Sequence, residues 1–153
     1  MREKNIHEII KLLNSGFQNQ KKEALYRISK LDQKIVPVII RVLKYRRSYW
    51  VYQVPAIYIL GKLGSRAVKS IPLLIDLAHD KNPDIRAEAI WALGQINPGD
   101  RNTISCLLSA LDDAEEDVRF NATKSIENIG YKTEAVISKL NELYSQEIGR
   151  AHV

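Results

Sequence analysis

The sequence predicts an all-α solenoid, a row of about four helical hairpins followed by one further helix. The first observation is an internal repeat, because residues 71–96 align with residues 104–129 at an offset of 33 residues. The second is the spacing of apolar residues, which recur at i, i+3 and i+4 in two segments of each copy, as on one face of a helix. A short polar turn separates the two segments, so each copy predicts a helical hairpin.

Four copies of the repeat follow one another, and a partial fifth copy ends the row. The third and fourth copies share many positions, including Ala89 with Ala122 and Leu93 with Ile126. Residues 54–63 and 23–31 match the same second-helix pattern. The predicted copies are residues 4–32, 33–64, 65–98, 99–130 and the partial 131–147, which together predict nine helices in one array.

Capping residues place the ends of several of these helices. Asn82 and Pro83 supply an N-cap and a first-turn proline for the second helix of copy three, and residues 97–100 (Asn-Pro-Gly-Asp) end it. Ser65 and Asp100 are expected to cap the first helices of copies three and four. The core residues predicted for the second helix of copy three are Ile85, Ala89, Leu93 and Ile96.

Charge is distributed unevenly along the 153 residues, which carry a formal net charge of +5. Residues 1–66 hold 14 Lys and Arg against 4 Asp and Glu, whereas residues 67–153 hold 9 against 14. The N-terminal part is therefore strongly basic and the remainder is acidic. This asymmetry favours a polyanion near one end, or a partner with complementary ends.

The remaining composition argues against catalysis and metal binding. Cys106 is the single cysteine and is expected in the core, and the three histidines are far apart, so neither a disulfide nor a metal site is expected. Since no nucleophile with a neighbouring base and no glycine-rich phosphate loop can be assembled, we expect no enzyme activity and no cofactor. The apolar runs are short and no signal peptide is recognised, so we expect no membrane partner and a cytoplasmic location.

Two segments, PDIRAEAIWALGQI (83–96) and EDVRFNATKSIENIG (116–130), resemble the second helix of HEAT repeats, with Asp-x-Arg at its start and, in the first segment, Ala-x-x-x-Leu-Gly after it. The resemblance is to the short prokaryotic form, which includes repeats similar to those of phycobilisome lyases. Pro37 and Pro72 resemble the proline that bends the first helix of that family. The resemblance implies a right-handed solenoid and, most often, an interaction scaffold.

Copy two departs from the family pattern, since Val51 and Gln53 stand where Asp and Arg are expected. Pro55 lies inside its second helix and is expected to kink that helix or delay its start. Copies three and four keep the Asp and Arg, whose hydrogen bonds from repeat to repeat are expected to hold adjacent turns in register. The residues concerned are Asp84, Arg86, Asp117 and Arg119.

The last six residues, IGRAHV, match one reading frame of a widely used short-read sequencing adapter. We therefore expect residues 148–153 to be a non-native tail, and the array to be a fragment of a longer one. The ninth helix agrees with this expectation, because it has no partner helix and no dedicated polar cap. An ordinary frayed C-terminus is the alternative.

Each second helix is expected to leave one stripe exposed on the concave side of the array. In three successive copies this stripe carries an aromatic residue, and large rings suit partner binding because they bury much area at small entropic cost. Packing of the rings against neighbouring second helices is the alternative. The stripe also contains Val51, Pro55, Asp84, Glu88, Gln95, Asp117 and Asn121. The predicted partner-binding residues are Tyr26, Lys30, Tyr58, Lys62, Trp91 and Lys124.

The stretch KYRRSYW lies in the predicted turn between the two helices of copy two. Lys44, Arg46 and Arg47 form a candidate rim for a polyanion. The interpretation we favour is structural, with Tyr49 and Trp50 sealing the gap between hairpins, since solvated charges on a turn need no ligand.

Three functions are compatible with these expectations. The first is a non-catalytic scaffold that binds a protein partner through its concave face. The second is nucleic-acid binding through the basic N-terminal half, similar to that of HEAT-like alkylpurine DNA glycosylases, although the acidic turn at residues 112–116 would repel a nucleic-acid backbone. The third, a bilin-lyase-like accessory role, rests on fold analogy alone.

Overall fold

The computed structural model describes residues 2–45, 50–96, 99–130 and 134–151. These residues form nine α-helices and two 3-10 helices, with no strand among them, which confirms the all-α prediction. The α-helices are α1 (Arg2–Leu13), α2 (Gln18–Ser29), α3 (Val36–Tyr45), α4 (Trp50–Leu63), α5 (Ile71–Leu77), α6 (Pro83–Ile96), α7 (Arg101–Ala110), α8 (Glu116–Ile129) and α9 (Glu134–Ala151). The 3-10 helices, Gln33–Ile35 and Gly64–Ser70, precede α3 and α5.

Successive helices pair as hairpins in the predicted order, from α1 with α2 to α7 with α8. The second helices α4, α6 and α8 pack extensively on one another and form a layer. The last helix, α9, packs on α7, as the first helix of a fifth copy would. Each repeat thus contacts its neighbours in the row, and the fold is an α-solenoid.

The core is one cluster of buried side chains, mostly aliphatic, that extends through all four hairpins. Each of the core residues predicted for α6 is buried, which confirms the helical register of copy three. Cys106 is also buried, as predicted, and burial raises the pKa of its thiol to about 11. The equivalent buried positions of α8 are Val118, Ala122 and Ile126.

Side chains cap two helices where the sequence predicts them. The Asp100 carboxylate accepts hydrogen bonds from the Thr103 amide at 2.7 Å and from its hydroxyl at 2.9 Å, at the start of α7. Asn82 Oδ1 accepts from the Asp84 amide at 2.9 Å, at the start of α6. The two bonds from Thr103 N and Asp84 N satisfy amides that have no partner within the helix, and so they fix where each helix begins.

One prediction about a helix start is wrong, and one of the two effects predicted for Pro55 is excluded. Ser65 caps no helix, because α4 ends at Leu63 and Gly64, with φ of 58°, turns the chain directly into the 3-10 helix. Pro55 does not delay α4, which already begins at Trp50, so a kink at this proline stays the prediction. Pro55 is also buried rather than part of the exposed stripe, because other helices pack on several sides of α4.

The prolines of the first helices occupy equivalent places. Pro37 is the second residue of α3 and Pro72 the second residue of α5, each just after a 3-10 helix. Proline is tolerated in the first turn, where its missing amide would have no helical partner. The first helices of copies two and three therefore consist of a 3-10 segment and an α segment that join next to the proline.

Hydrogen bonds between Asp and Arg do link two repeats, but the carboxylate differs from the predicted one. Arg86 Nε and Nη2 donate to the two carboxylate oxygens of Asp113, both at 3.0 Å, and so connect α6 to the turn after α7. Arg119 donates to main-chain oxygens of that same turn. Asp84 and Asp117 are not the partners. Each precedes its arginine by two residues on the helix, so its carboxylate leaves the helix on a different side from the arginine and from the turn that Arg86 binds.

Part of KYRRSYW lies outside the described residues, including the predicted rim residues Arg46 and Arg47 and the predicted joint residue Tyr49, and the side chain of Trp50 is likewise not described. Lys44 is exposed in the last turn of α3. At the other end, α9 continues to Ala151, so residues 148–151 of the expected tail belong to this helix.

Candidate interaction surface

Each of the second helices α2, α4, α6 and α8 carries the stripe of side chains predicted to be exposed. We call these four stripes together the second-helix face. All six predicted partner-binding residues lie on this face, with the lysines and Tyr26 exposed and the other two rings half-buried. Tyr26 and Lys30 belong to α2 and its C-terminal cap, Tyr58 and Lys62 to α4, Trp91 to α6 and Lys124 to α8.

Two of the predicted aromatic residues form a stacked pair. The rings of Tyr58 and Trp91 are 5.3 Å apart between centroids and inclined by only 11°. Both rings are half-buried, so each keeps some surface towards solvent. The pair spans the boundary between copies two and three and therefore both joins α4 to α6 and presents a flat aromatic surface.

A glycine allows this stacking. Gly61 is buried on α4, and a Cβ at this position would overlap the indole ring of Trp91. The indole therefore lies directly on the backbone of α4, one turn beyond Tyr58. The glycine that follows Leu60 in the repeat thus has a packing role, since any side chain here would displace the ring.

Lysine side chains lie over aromatic rings on three of the four second helices. Lys62 Nζ is 5.5 Å from the Tyr58 centroid and 5.9 Å from that of Trp91. Lys30 Nζ is 5.3 Å from the Tyr26 centroid, and Lys124 Nζ is 5.9 Å from that of Phe120. These distances are in the range of cation–π contacts. Three of the contacts join residues four apart in sequence, whereas the contact of Lys62 with Trp91 joins α4 to α6.

The predicted ladder is therefore not continuous. Tyr26 is 61% exposed and has no contact with another aromatic ring in the described part of the chain, because α2 packs less extensively on α4 than α6 does. Lys124 lies beside Phe120, an exposed ring that the sequence reasoning did not single out. The structure brings together Tyr58, Lys62 and Trp91 and leaves the other predicted residues apart.

A groove of about 340 Å³ lies between α4, α6 and α8, on the same face. We call it the Glu88 groove, and its lining residues are Val54, Asp84, Ala87, Glu88, Asp117 and Asn121. Burial raises the pKa of Glu88 to about 7. Burial is also the main reason that the pKa of Tyr58 is raised; Lys21 opposes this shift and the charge of Glu88 adds to it.

Glu88 belongs to the predicted exposed stripe, but it is not among the predicted partner-binding residues. Its half-buried state depends on how closely α4 and α8 approach α6, which a single sequence does not reveal. The sequence signal for this groove was weak. It consisted of three carboxylates, Asp84, Glu88 and Asp117, at stripe positions of copies three and four.

Replacing Glu88 with glutamine is expected to raise the free energy of unfolding at about pH 8 by about 1–2 kcal/mol, after allowance for partial exposure. The folded pKa of about 7 lies above the ordinary value of 4.5. As pH rises from the ordinary pKa through the folded pKa, Glu88 ionises more readily in the unfolded protein than in the folded one. The wild type therefore loses stability relative to the variant over this range.

Urea denaturation at about pH 4 and about pH 8 measures this difference. The two proteins should be equally stable at the lower pH, where the carboxyl is protonated in both folded and unfolded states. Glu134→Gln, at the exposed start of α9, makes the same chemical change and should show no such pH-dependent gain. An identical gain in both variants would contradict burial of Glu88.

A wider groove of about 850 Å³ lies where α1, α2 and the start of α4 meet. Its charged lining includes Glu8 and Arg27, which pair with each other at 3.4 Å, and Arg27 also binds Glu23 at 2.7 Å. Glu8 and Arg27 thus neutralise each other, and Lys11 adds a positive charge to the same lining. The smaller Glu88 groove differs, because its lining contains acidic residues and no basic residue.

Two general features of the described residues concern membranes and metals. None of their helices combines the length and the apolar composition that crossing a bilayer requires. They contain no group of three or more His, Cys, Asp and Glu side chains that could hold a metal ion.

The family model for HEAT repeats matches residues 36–123 and 71–150. A designed armadillo repeat protein in complex with the peptide (KR)4 has a similar fold, with a TM-score of 0.57, 20% identity, and coverage of 88% of this chain and 68% of that chain. An engineered protein has a TM-score of 0.56 at 20% identity, and the match covers 88% of this chain and 68% of that protein. A second engineered protein has a TM-score of 0.54 at 20% identity, and the match covers 86% of this chain and 40% of that protein.

No curated protein matches the sequence. The structural likenesses, at 20% identity, show the fold alone, and the resemblance to phycobilisome lyase repeats stays a prediction. The overlapping matches to the HEAT-repeat model cover more than half of the chain. The chain therefore belongs to the HEAT-repeat family.

Proposed function

We propose that this chain is a non-catalytic protein-interaction scaffold that holds a segment of a partner protein on the second-helix face. Repeat solenoids of this kind commonly use an extended surface for binding. The observation that carries the proposal is the stacked pair of Tyr58 and Trp91, half-buried beneath Lys62. The designed armadillo repeat protein of similar fold was solved with a peptide, which agrees with this function.

The pair is suited to binding because its rings are already fixed before a partner arrives. Trp91 rests on the backbone at Gly61 and on the ring of Tyr58. Immobilised side chains lose little conformational entropy on binding, and buried aromatic residues dominate many interfaces. We place Tyr58, Lys62 and Trp91 at the centre of the binding surface, with Tyr26, Lys30 and Lys124 at its margins.

Trp91→Ala is expected to weaken partner binding about tenfold or more, since it removes a central ring and the support of Tyr58. A photo-reactive phenylalanine analogue at position 58 provides the measurement, by crosslinking in an extract of the source cells. We expect protein adducts whose yield falls in the Trp91→Ala background.

The control places the same analogue at position 45. Tyr45 is 84% exposed at the end of α3, outside the second-helix face, so it tests whether any exposed aromatic position captures proteins. Equal adducts at both positions, or adducts that persist undiminished in Trp91→Ala, would argue against the proposed surface.

Nucleic-acid binding is the second candidate, and the charge distribution favours it. Residues 1–66 hold 14 basic residues, and exposed Lys44 belongs to the predicted polyanion rim with Arg46 and Arg47. The carboxylates of the Glu88 groove on α6 and α8 oppose it, since phosphates would be repelled there. Binding of a single-stranded oligonucleotide that weakens steeply with salt would favour this candidate over a protein partner.

A further inference from the structure

The Glu88 groove adjoins the Tyr58–Trp91 pair. Val54 and Ala87, two apolar lining residues, lie four residues before Tyr58 and Trp91 on α4 and α6. Residues four apart on a helix are neighbours on the same face, with Cβ atoms about 5–6 Å apart. A single short segment of a partner can therefore cover the rings and reach the groove.

The carboxylates of the groove lack cations within the described part of the chain. Asp84, Glu88 and Asp117 form no ion pair there, and their side chains accept no hydrogen bond. Asp113 shows the contrast, because Arg86 binds both of its oxygens. Burying a carboxylate without a partner costs free energy, so a cation brought from outside would find a favourable position here.

We propose that the partner segment carries a lysine or arginine side chain that enters the Glu88 groove, while neighbouring atoms of the segment pack on Tyr58 and Trp91. This inference rests on the proposed function and specifies the chemistry of the partner. Charge complementarity selects the occupant, since the lining has three acidic and no basic side chains. The apolar stem of such a side chain also matches the apolar lining and the adjacent rings.

An anionic segment fits the same surface less well. It would depend on Lys21, Lys62 and Lys124, and Lys124 already pairs with Glu127 at 3.0 Å. Its charge would also lie close to Glu88, whose field reaches the Tyr58 ring. Repulsion from three nearby carboxylates would oppose an acidic peptide or an oligonucleotide at this position.

Fluorescence anisotropy with the full chain tests the inference at about pH 8. The probes are three labelled peptides of equal length, with serine alternating with lysine, glutamate or glutamine, and a labelled single-stranded oligonucleotide. We expect the lysine peptide to bind most tightly, and Glu88→Gln to weaken that binding about tenfold. Glu134→Gln, which changes the net charge equally, should leave it within about twofold.

A pH profile separates recognition of Glu88 from nonspecific attraction of the peptide to other carboxylates of the chain. Ionised Glu88 is required, so lysine-peptide binding should strengthen between about pH 6 and about pH 8, while the peptide lysines stay charged. The charged and titratable groups at the groove are Asp84 on α6, Asp117 on α8 and, on α4, Tyr58, whose ring also lies in the field of Lys21 on α2. The strengthening should be absent in Glu88→Gln, a variant expected to be folded and more stable at this pH.

The outcomes separate this inference from the proposed function. Equal weakening by Glu88→Gln and Glu134→Gln, or no binding of the lysine peptide, would overturn the basic-side-chain assignment. If the glutamate peptide or the oligonucleotide binds instead and Trp91→Ala abolishes that binding, the second-helix face binds ligands but its partner is anionic. The proposed function fails by a different result, namely the absence of Trp91-dependent protein adducts at position 58.

Discussion

Replacing Gly94 with alanine is expected to lower the free energy of unfolding by about 2–4 kcal/mol. Gly94 is buried on α6 against α8, where a Cβ would overlap the side chain of Ser125 and lie 2.7 Å from its Cα. The obstacle includes backbone, so the two helices must separate. That separation would also strain the hydrogen bond that Ser125 Oγ donates to the Ile90 carbonyl at 2.9 Å.

Urea denaturation followed by circular dichroism measures the loss, and Gly149→Ala is the matched control. Gly149 lies on α9, and a Cβ there would meet nothing within 4 Å. Alanine is a better helix former than glycine, so this control should leave stability unchanged or slightly higher. A similar result for the two substitutions would show that α6 and α8 are not in close contact at Gly94.

The helices and their pairing could be predicted because they depend on local, repeated signals. The apolar spacing alone located the core of α6, and a single side chain, Asp100, marked the start of α7. Such features are set within one helical hairpin, and the offset of 33 residues supplied repeated evidence for them. Predictions failed where a neighbouring element changes the outcome, as when Gly64 turns the chain into a 3-10 helix ahead of Ser65.

The candidate surface was predictable in composition but not in geometry. Tyr26, Tyr58 and Trp91 share a register, yet only Tyr58 and Trp91 stack on each other in the described part of the chain. Stacking requires the close approach of α4 and α6 at Gly61, which α2 does not repeat with α4. The state of Glu88 has the same origin, since its burial depends on two neighbouring helices rather than on its own sequence context.

Replacing Arg86 with methionine, which keeps the apolar stem, is expected to lower the free energy of unfolding by about 2–3 kcal/mol at neutral pH. Arg86 and Asp113 keep only 17% and 15% of their side-chain surface exposed. The variant loses two charge-assisted bonds of 3.0 Å and two bonds to the carbonyls of Asp80 and Lys81. It also leaves the Asp113 carboxylate partly buried without its cation.

The loss of unfolding free energy in Arg86→Met should shrink as pH falls towards the range in which carboxyl groups protonate, about pH 4 and below. Burial opposes ionisation of Asp113, but the hydrogen bonds from Arg86 and the Glu115 amide outweigh it and keep the Asp113 pKa below its ordinary value. A lowered folded pKa contributes stability above the unfolded pKa, and this contribution is lost as pH falls through the folded value. Urea denaturation across this pH range would follow the change.

Arg119→Met is the matched control, because Arg119 occupies the equivalent position of α8 and donates only to the carbonyls of Asp113 and Ala114 among the described residues, at 2.8 and 2.9 Å. Its replacement should cost about 1 kcal/mol, with much less dependence on pH. A double-mutant cycle with Asp113→Asn then isolates the pair, since the coupling should appear with Arg86 and be small with Arg119. A coupling with Arg86 as small as that with Arg119 would mean that Arg86 stabilises the turns through the main chain alone, and that the carboxylate contributes little to holding repeats three and four in register.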